Sequence, residues 1–183
     1  LEHLSDKELA GRARSGDREA FDQLVTRYWK RVCGYAFTIL RSLEDAEDAA
    51  QETFLRAFKG REQFEEGREF TPWLYRIATN TCTDRVRSRK RDHASLGDIE
   101  LEDEGGTPAD LYEREEVRGR VREAIFSLPE AYGQVVYLRY VGDMSYREIA
   151  SALSISESAV ETRLFRGKQM IRNLLRRSLK WES

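Results

Sequence analysis

Residues 128–168 read LPEAYGQVVYLRYVGDMSYREIASALSISESAVETRLFRGK. Pro129 closes one helix at Leu128 and opens a second, because its fixed φ suits the first helical turn. Val135, Val136 and Leu138 line that second helix, which ends near Gly142. Ser145 with Glu148 three residues on is a capping box. The short helix it starts buries Ile149, Ala150 and Leu153. After a three-residue turn Ser156 caps a last helix, with Val160, Leu164, Ile171, Leu174 and Leu175 on its inward face. A short helix, a tight turn and a basic second helix form a helix-turn-helix. Its outward residues are Ser158, Glu161, Thr162, Phe165 and Arg166, with Arg163 at the flank. Arg166 and Thr162 suit base edges in a major groove, and Phe165 suits a thymine methyl. Arg163, Lys168 and Arg172 are better placed for phosphates. A merely structural hairpin would need neither the turn nor the basic face.

Upstream the charge is partitioned. The chain has 183 residues and a net charge of −2. Residues 1–93 carry 18 basic and 17 acidic side chains, residues 94–116 one and nine, and residues 117–183 twelve and seven. Local fields therefore say more about nucleic acid than the global balance does. The middle stretch has glycines, a proline and many acids but no periodicity, so it reads as a flexible acidic linker. It is a solvated tether, or one that also competes with DNA phosphates for the flanking basic faces.

The first half reads as helix throughout. Ser5 and Glu8 make a capping box. A second helix starts near Asp17, with one apolar stripe through Phe21, Leu24, Val25, Tyr28, Trp29, Val32, Ala36, Ile39 and Leu40. Ser42 caps a third, whose core face is Ala46, Ala49, Ala50, Thr53, Phe54, Ala57 and Phe58. Its opening acids, Glu44, Asp45, Glu47 and Asp48, suit the positive end of the helix. Asp48, Gln51, Glu52 and Leu55 also share one face, a polar stripe with an apolar anchor that fits protein docking. Residues 60–70 form a glycine-marked loop with Phe64 and Phe70 in or beside it. Thr71 caps a fourth helix with Pro72 at its first position. Its inward stripe is Trp73, Leu74, Ile77, Ala78, Thr81, Cys82 and Val86. Its other face carries Tyr75, Arg76, Asn80, Thr83, Asp84 and Arg87 and runs into RVRSRKR, residues 85–91. A basic helix end suits its own dipole. Aromatics, amides and arginines beside a loop with free rings also suit single-stranded DNA, where rings stack on bases at about 1–3 kcal/mol each, and such a loop can hold a flipped base.

Composition narrows the function classes. No run approaches the roughly 18 apolar residues of a membrane span, and no secretory signal is expected from the charged N-terminal stretch. Cys33 and Cys82 read as two buried thiols; a disulfide scaffold or a cysteine-rich metal site would need more. Catalysis is poorly supplied: His3 and His93 are the sole histidines, and there is no phosphate-cradling glycine loop or zinc-protease pair. No catalytic residue, metal ligand or cofactor is expected, and the chain reads as a non-enzyme. A metal-dependent nuclease would have only Asp45, Asp48 and Glu52 to work with. A stand-alone regulator would need a ligand or receiver domain, which the first half lacks.

Four segments in order resemble the sigma-70 class, specifically the small two-domain extracytoplasmic-function (ECF) group, group four of that family. GDREAFDQLVTRYWKRV is similar to the opening of its domain two, and DAEDAAQETFLRAF to its polymerase-binding segment. FTPWLYRIATNTCTDRVRSRKR is similar to its promoter −10 helix, and residues 128–168 to its domain four, which reads the −35 element. The resemblance implies an all-α protein of two small helical domains, residues 1–93 and 117–183, the second a four-helix unit with the helix-turn-helix. It implies that Asp48, Gln51, Glu52, Phe54 and Leu55 dock the β′ clamp helices of core RNA polymerase, with the β flap as a second contact. It implies that Phe64, Phe70, Trp73, Tyr75, Arg76, Asn80, Asp84 and Arg85 serve −10 recognition and melting. Ser158, Glu161, Thr162, Arg163, Phe165, Arg166 and Lys168 would read the −35 element. Glu161 stands where the family usually has a basic residue, and Gly167 where alanine is frequent. The implied partners are core polymerase, promoter DNA and an anti-sigma factor. The implied location is cytoplasmic, at the inner membrane face where a membrane-linked anti-sigma partner holds the chain.

Overall fold

The computed structural model describes residues 4–65, 67–96 and 116–180. These residues form eight α-helices and one 3₁₀ turn, with no strand among them. The order is α1 (Asp6–Arg14), α2 (Arg18–Leu40), α3 (Leu43–Lys59), the 3₁₀ turn (Arg61–Gln63), α4 (Phe70–Leu96), α5 (Glu116–Phe126), α6 (Glu130–Tyr140), α7 (Tyr146–Leu153) and α8 (Glu157–Lys180). The all-α expectation holds, with four helices on each side of the acidic stretch. The linker itself, read over 94–116, falls almost wholly outside the described residues.

The helix starts follow the expected caps. Ser5 Oγ accepts from the Glu8 amide at 3.3 Å, and the Glu8 carboxylate accepts from the Ser5 amide at 2.8 Å. Asp17 accepts from Ala20 at 3.1 Å and Ser42 from Asp45 at 3.3 Å. Ser145 and Glu148 repeat the box, and Ser156 accepts from the Ala159 amide at 3.1 Å. Thr71 differs: α4 already starts at Phe70, and the Thr71 hydroxyl lies 2.7 Å from the Tyr28 hydroxyl.

In the first unit α2 is the axis, with α1, α3 and α4 packed around it. Alanines 46, 49, 50 and 57 keep α3 close against α2. In the second unit α6 and α8 pack on each other, with α5 and α7 alongside. Val160 and Leu164 are buried there. Leu174, expected on the inward face, is 38% exposed.

The two units pack against each other. α2 meets α6 and α5, and α4 meets α7. Residues 32–40 of α2 are all buried, so this segment is enclosed on every side rather than along one stripe. An aromatic seam fills the junction. The ring of Tyr35 lies 5.3 Å from Tyr75 and 6.1 Å from Tyr137. Phe37 meets Phe126 edge-on at 5.1 Å. Tyr137 donates its hydroxyl to the Arg31 carbonyl at 2.9 Å. The Arg41 guanidinium donates to the carbonyls of Phe126 and Leu128, at the end of α5 and just beyond it. Burial pushes the thiols of both Cys33 and Cys82 up to about 12, so each stays protonated at neutral pH. Among the described residues no helix is long and apolar enough to cross a membrane.

Candidate docking and nucleic-acid interfaces

The α3 face is built by helical periodicity. Asp48, Gln51 and Leu55 are exposed on it, Leu55 at 48%, and Glu52 is half-buried beside them. Phe54 points the other way. It is 5% exposed and stacked on Trp29 at 6.0 Å, so it braces the face from beneath. The carboxylates are engaged by arginines. Arg85 reaches Asp48 at 3.5 Å, and Arg89 pairs with Asp45. Arg56 holds Glu52 at 2.8 Å and Asp84 at 2.9 Å. Those hydrogen bonds, Glu52 first and Asp84 second, hold the guanidinium pKa above its ordinary value. This ladder ties the polar stripe of α3 to the basic end of α4. Exposed ion pairs contribute about 0.2–1 kcal/mol each, so the rungs orient side chains more than they stabilise the fold.

The second face joins the loop at 60–69 to α4. The expected free rings are not free here. Phe64 is 3% exposed and Phe70 2%, because both pack into a cluster with Trp73 at 5.2 and 5.7 Å. Phe70 also meets Tyr28 at 5.5 Å. These rings pin the loop to the body, and only Trp73 of the three is half-exposed. Tyr75, expected on the outward face, is fully buried in the seam, where it meets Tyr35 of α2 and α7 packs against α4. Of the expected outward residues of α4, Arg76, Asn80, Asp84 and Arg87 are exposed, and Thr83 and Arg85 are half-buried. Arg76 donates to the Ser151 carbonyl of α7 at 3.2 Å. A cleft of about 860 Å³ lies between α1 and the loop, lined by Lys7, Glu8, Arg12, Ser15, Phe64 and Gly67 among others.

The third face is the start of α8. Ser158, Glu161, Thr162, Phe165, Arg166 and Lys168 are all exposed and Arg163 is half-buried. Phe165 is 62% exposed, an apolar ring with nothing folded over it. The Thr162 hydroxyl donates to the Ser158 carbonyl at 2.9 Å. Lys168 sits over the Tyr140 ring at 5.6 Å, and its ammonium pKa is raised chiefly by the Tyr140 hydrogen bond. Behind this face Gly167 is buried: a Cβ there would meet Val136 Cγ2 at 2.6 Å. The absent side chain lets α8 lie close on α6.

Sequence reasoning missed two participants. Arg56 bridges α3 and α4; its four-residue step from Glu52 was legible, its reach to Asp84 was not. Tyr140 of α6 holds Lys168 of α8, and a contact between positions so far apart in the chain has no local sequence signal. Among the described residues no group of three or more His, Cys, Asp and Glu is placed to hold a metal ion.

Comparison with known proteins agrees with this layout. The family description "Sigma-70 region 2" matches residues 24–92, and "Sigma-70, region 4" matches residues 118–171. The ECF RNA polymerase sigma factor SigW of Bacillus subtilis is 32% identical over 180 residues, covering 93% of this chain and 96% of its own. The ECF RNA polymerase sigma-E factor of Escherichia coli is 34% identical over 182 residues, covering 94% and 95%. Among solved structures, CnrH in complex with the cytosolic domain of CnrY has a TM-score of 0.65 at 28% identity, covering 93% and 96%. The sigma factor RpoE from Bartonella quintana, solved with the anti-sigma factor NepR, shares the fold with a TM-score of 0.73 at 21% identity, covering 85% and 96%. A region 2 type unit and a region 4 type helix-turn-helix in this order, matched end to end by curated relatives, place the chain in the ECF sigma factors of the sigma-70 family, the RNA polymerase sigma factors of promoter-specific transcription initiation.

Proposed function

We propose that the chain joins core RNA polymerase through α3 and brings two separate DNA-reading faces to a promoter. Asp48, Gln51, Glu52 and Leu55 meet the β′ clamp helices, with Phe54 bracing them, and the second unit meets the β flap. Arg76, Asn80, Asp84, Arg85 and Trp73 handle the −10 element beside the 60–69 loop, while Phe64, Phe70 and Tyr75 support them from within. The cleft between α1 and that loop is where an unstacked base fits. Ser158, Glu161, Thr162, Arg163, Phe165, Arg166 and Lys168 read the −35 element. Residues 1–93 and 117–183 are the two working domains and 94–116 their tether.

The exposed start of α8 carries this reading most directly: a helix-turn-helix with a bare threonine, arginine and aromatic on its groove side suits base edges. The reaction breaks no covalent bond in the protein's hands. Binding energy from phosphates and bases offsets the unstacking of a few base pairs, and polymerase makes two weak sites act as one strong one. A protein antagonist is part of the reading; a relative of 28% identity is solved with the cytosolic domain of another protein. With such an antagonist the chain works in the cytoplasm or at the inner membrane face.

Abortive transcription tests the whole. Core polymerase plus this chain, on a promoter library, should yield short RNA from a defined subset. A chain that fails to join core polymerase, or joins it and starts no RNA on any promoter, overturns the proposal.

A further inference from the structure

The geometry points to Asp6, on the first helix, as a positioning residue for the −10 face: through the Tyr28 hydroxyl it fixes Thr71, and with it the first turn of α4 and the 60–69 loop. This rests on the reading above that α4 and that loop serve the −10 element.

Side chains from three helices meet in a row. Asp6 of α1 accepts from the Arg27 guanidinium on Oδ1 at 2.8 Å and from the Tyr28 hydroxyl on Oδ2 at 2.5 Å. The same Tyr28 hydroxyl of α2 lies 2.7 Å from the Thr71 hydroxyl of α4. A carboxylate only accepts, and a phenol has one hydrogen to give. Tyr28 gives it to Asp6, so Thr71 is the donor to Tyr28. The carboxylate thus settles the direction of both bonds and the orientation of the Thr71 hydroxyl. Burial first, and then the bond to Asp6, push the Tyr28 pKa up to about 12, so the phenol keeps its proton at neutral pH. Asp6 is itself held in place, by Arg27 on its other oxygen and by the Ser5–Glu8 capping box around the same turn of α1.

Tyr28 grips the start of α4 at two points. Its hydroxyl holds Thr71, and its ring meets Phe70 edge-on at 5.5 Å. Phe70 in turn touches Phe64 of the loop at 6.1 Å and Trp73 at 5.7 Å. Trp73 is the half-exposed ring of that cluster, so the tie from α1 ends on the surface that meets DNA. It also acts on the cleft beside the loop, where Lys7 and Glu8 of α1 face Phe64 and Gly67. Apolar contacts alone would bury these rings as well. Hydrogen bonds add direction, and a site for a loose, unstacked base works only when its supporting side chains are locked. Slackening the tie at Asp6 should therefore blur recognition at the −10 element before it harms anything else.

Abortive transcription by the full chain with core polymerase, on matched, −10-substituted and −35-substituted templates, tests the assignment. Core binding is measured on the same chains. Asp6→Ala should cut the ratio of matched to −10-substituted transcripts roughly ten-fold, the effect of one hydrogen bond to a charged group. Core binding and the −35 ratio should stay at their wild-type values. Tyr28→Phe keeps the ring and loses the hydroxyl, and Thr71→Val keeps the shape and loses the hydroxyl. Each should show the same selective loss. Joining Asp6→Ala to Tyr28→Phe should lose no more than either alone, as members of one network do. Thr71→Ser keeps the hydroxyl and should keep the −10 ratio. An Asp6→Ala chain that loses core binding and both ratios in parallel overturns the proposal, because that is the mark of a merely structural role. A wild-type chain that transcribes matched and −10-substituted templates alike removes the −10 reading of α4, and this proposal with it. A discriminating wild type beside an equally discriminating Asp6→Ala chain sinks the proposal alone.

Discussion

On α8 the outward side chains are held by little beyond their own helix; on α4 the corresponding ones are held by three neighbours. Among the described residues Arg163 and Arg166 have no ion-pair partner, whereas Arg85 and Arg89 pair with acids of α3 and Arg76 bonds to α7. Phe165 is bare while Phe64, Phe70 and Tyr75 are buried. A double helix presents a groove of fixed shape, and a rigid, uncovered helix face meets it without rearrangement. Unpaired bases have no shape until they are bound. On the proposed assignment, α4 is a face for them that needs a braced scaffold first, and most of its aromatic residues are spent on the bracing.

The sharpest way to break this contrast is to truncate one ring on each side. Tyr35→Ala removes a ring from the middle of the seam and should destabilise the chain by about 3–5 kcal/mol, as large-to-small core changes do. Phe165→Ala should stay within about 0.5 kcal/mol, as exposed positions do. Urea unfolding of both decides whether the rings differ as described. Next comes Arg166→Ala. It should lose about 1–3 kcal/mol of discrimination at one −35 base, read as the ratio of transcripts from matched and scrambled −35 elements, with core binding intact. Equal transcription by the wild-type chain from both templates would remove the role assigned to that residue.

Gly167→Ala probes how closely α8 is seated. Its new methyl meets Val136, and overpacking of this kind costs about 1–3 kcal/mol. The double variant with Val136→Ala should recover most of the loss in a thermal melt; a single variant as stable as wild type would show that α6 yields freely. Smallest is Arg56→Gln, which cuts the bridge between Glu52 and Asp84. It should cost about 0.2–1 kcal/mol at low salt, and less as ionic strength screens the exposed pair.

The same contrast marks what sequence could tell. Periodicity and caps located all eight helices, because Ser5, Asp17, Ser42, Ser145 and Ser156 act locally, within three residues. The α8 face was legible for the same reason: its neighbours are its own turns. The segment VCGYAFTIL, residues 32–40, was apolar on every side. That signals enclosure, but reading it as a single stripe hid the junction with α5 and α6. Tyr75 and Phe64 were misplaced outward because their burial is decided by partners far along the chain, Tyr35 in one case and Trp73 in the other. The α3–α4 ion pairs join positions 28 to 44 residues apart, and no local pattern selects which acid meets which arginine.

Arg41 ends α2 at φ 58°, a left-handed corner where glycine or asparagine sits more easily. A longer side chain there carries a backbone penalty of about 1–2 kcal/mol. The corner is thus a place where the chain forgoes an easier residue, and the guanidinium lying across Phe126 and Leu128 is what it gains. Glycine at 41 would ease the bend and remove the guanidinium's bonds to the Phe126 and Leu128 carbonyls in one step. The aromatic seam would still join the two units, so the exchange trims the junction without opening it.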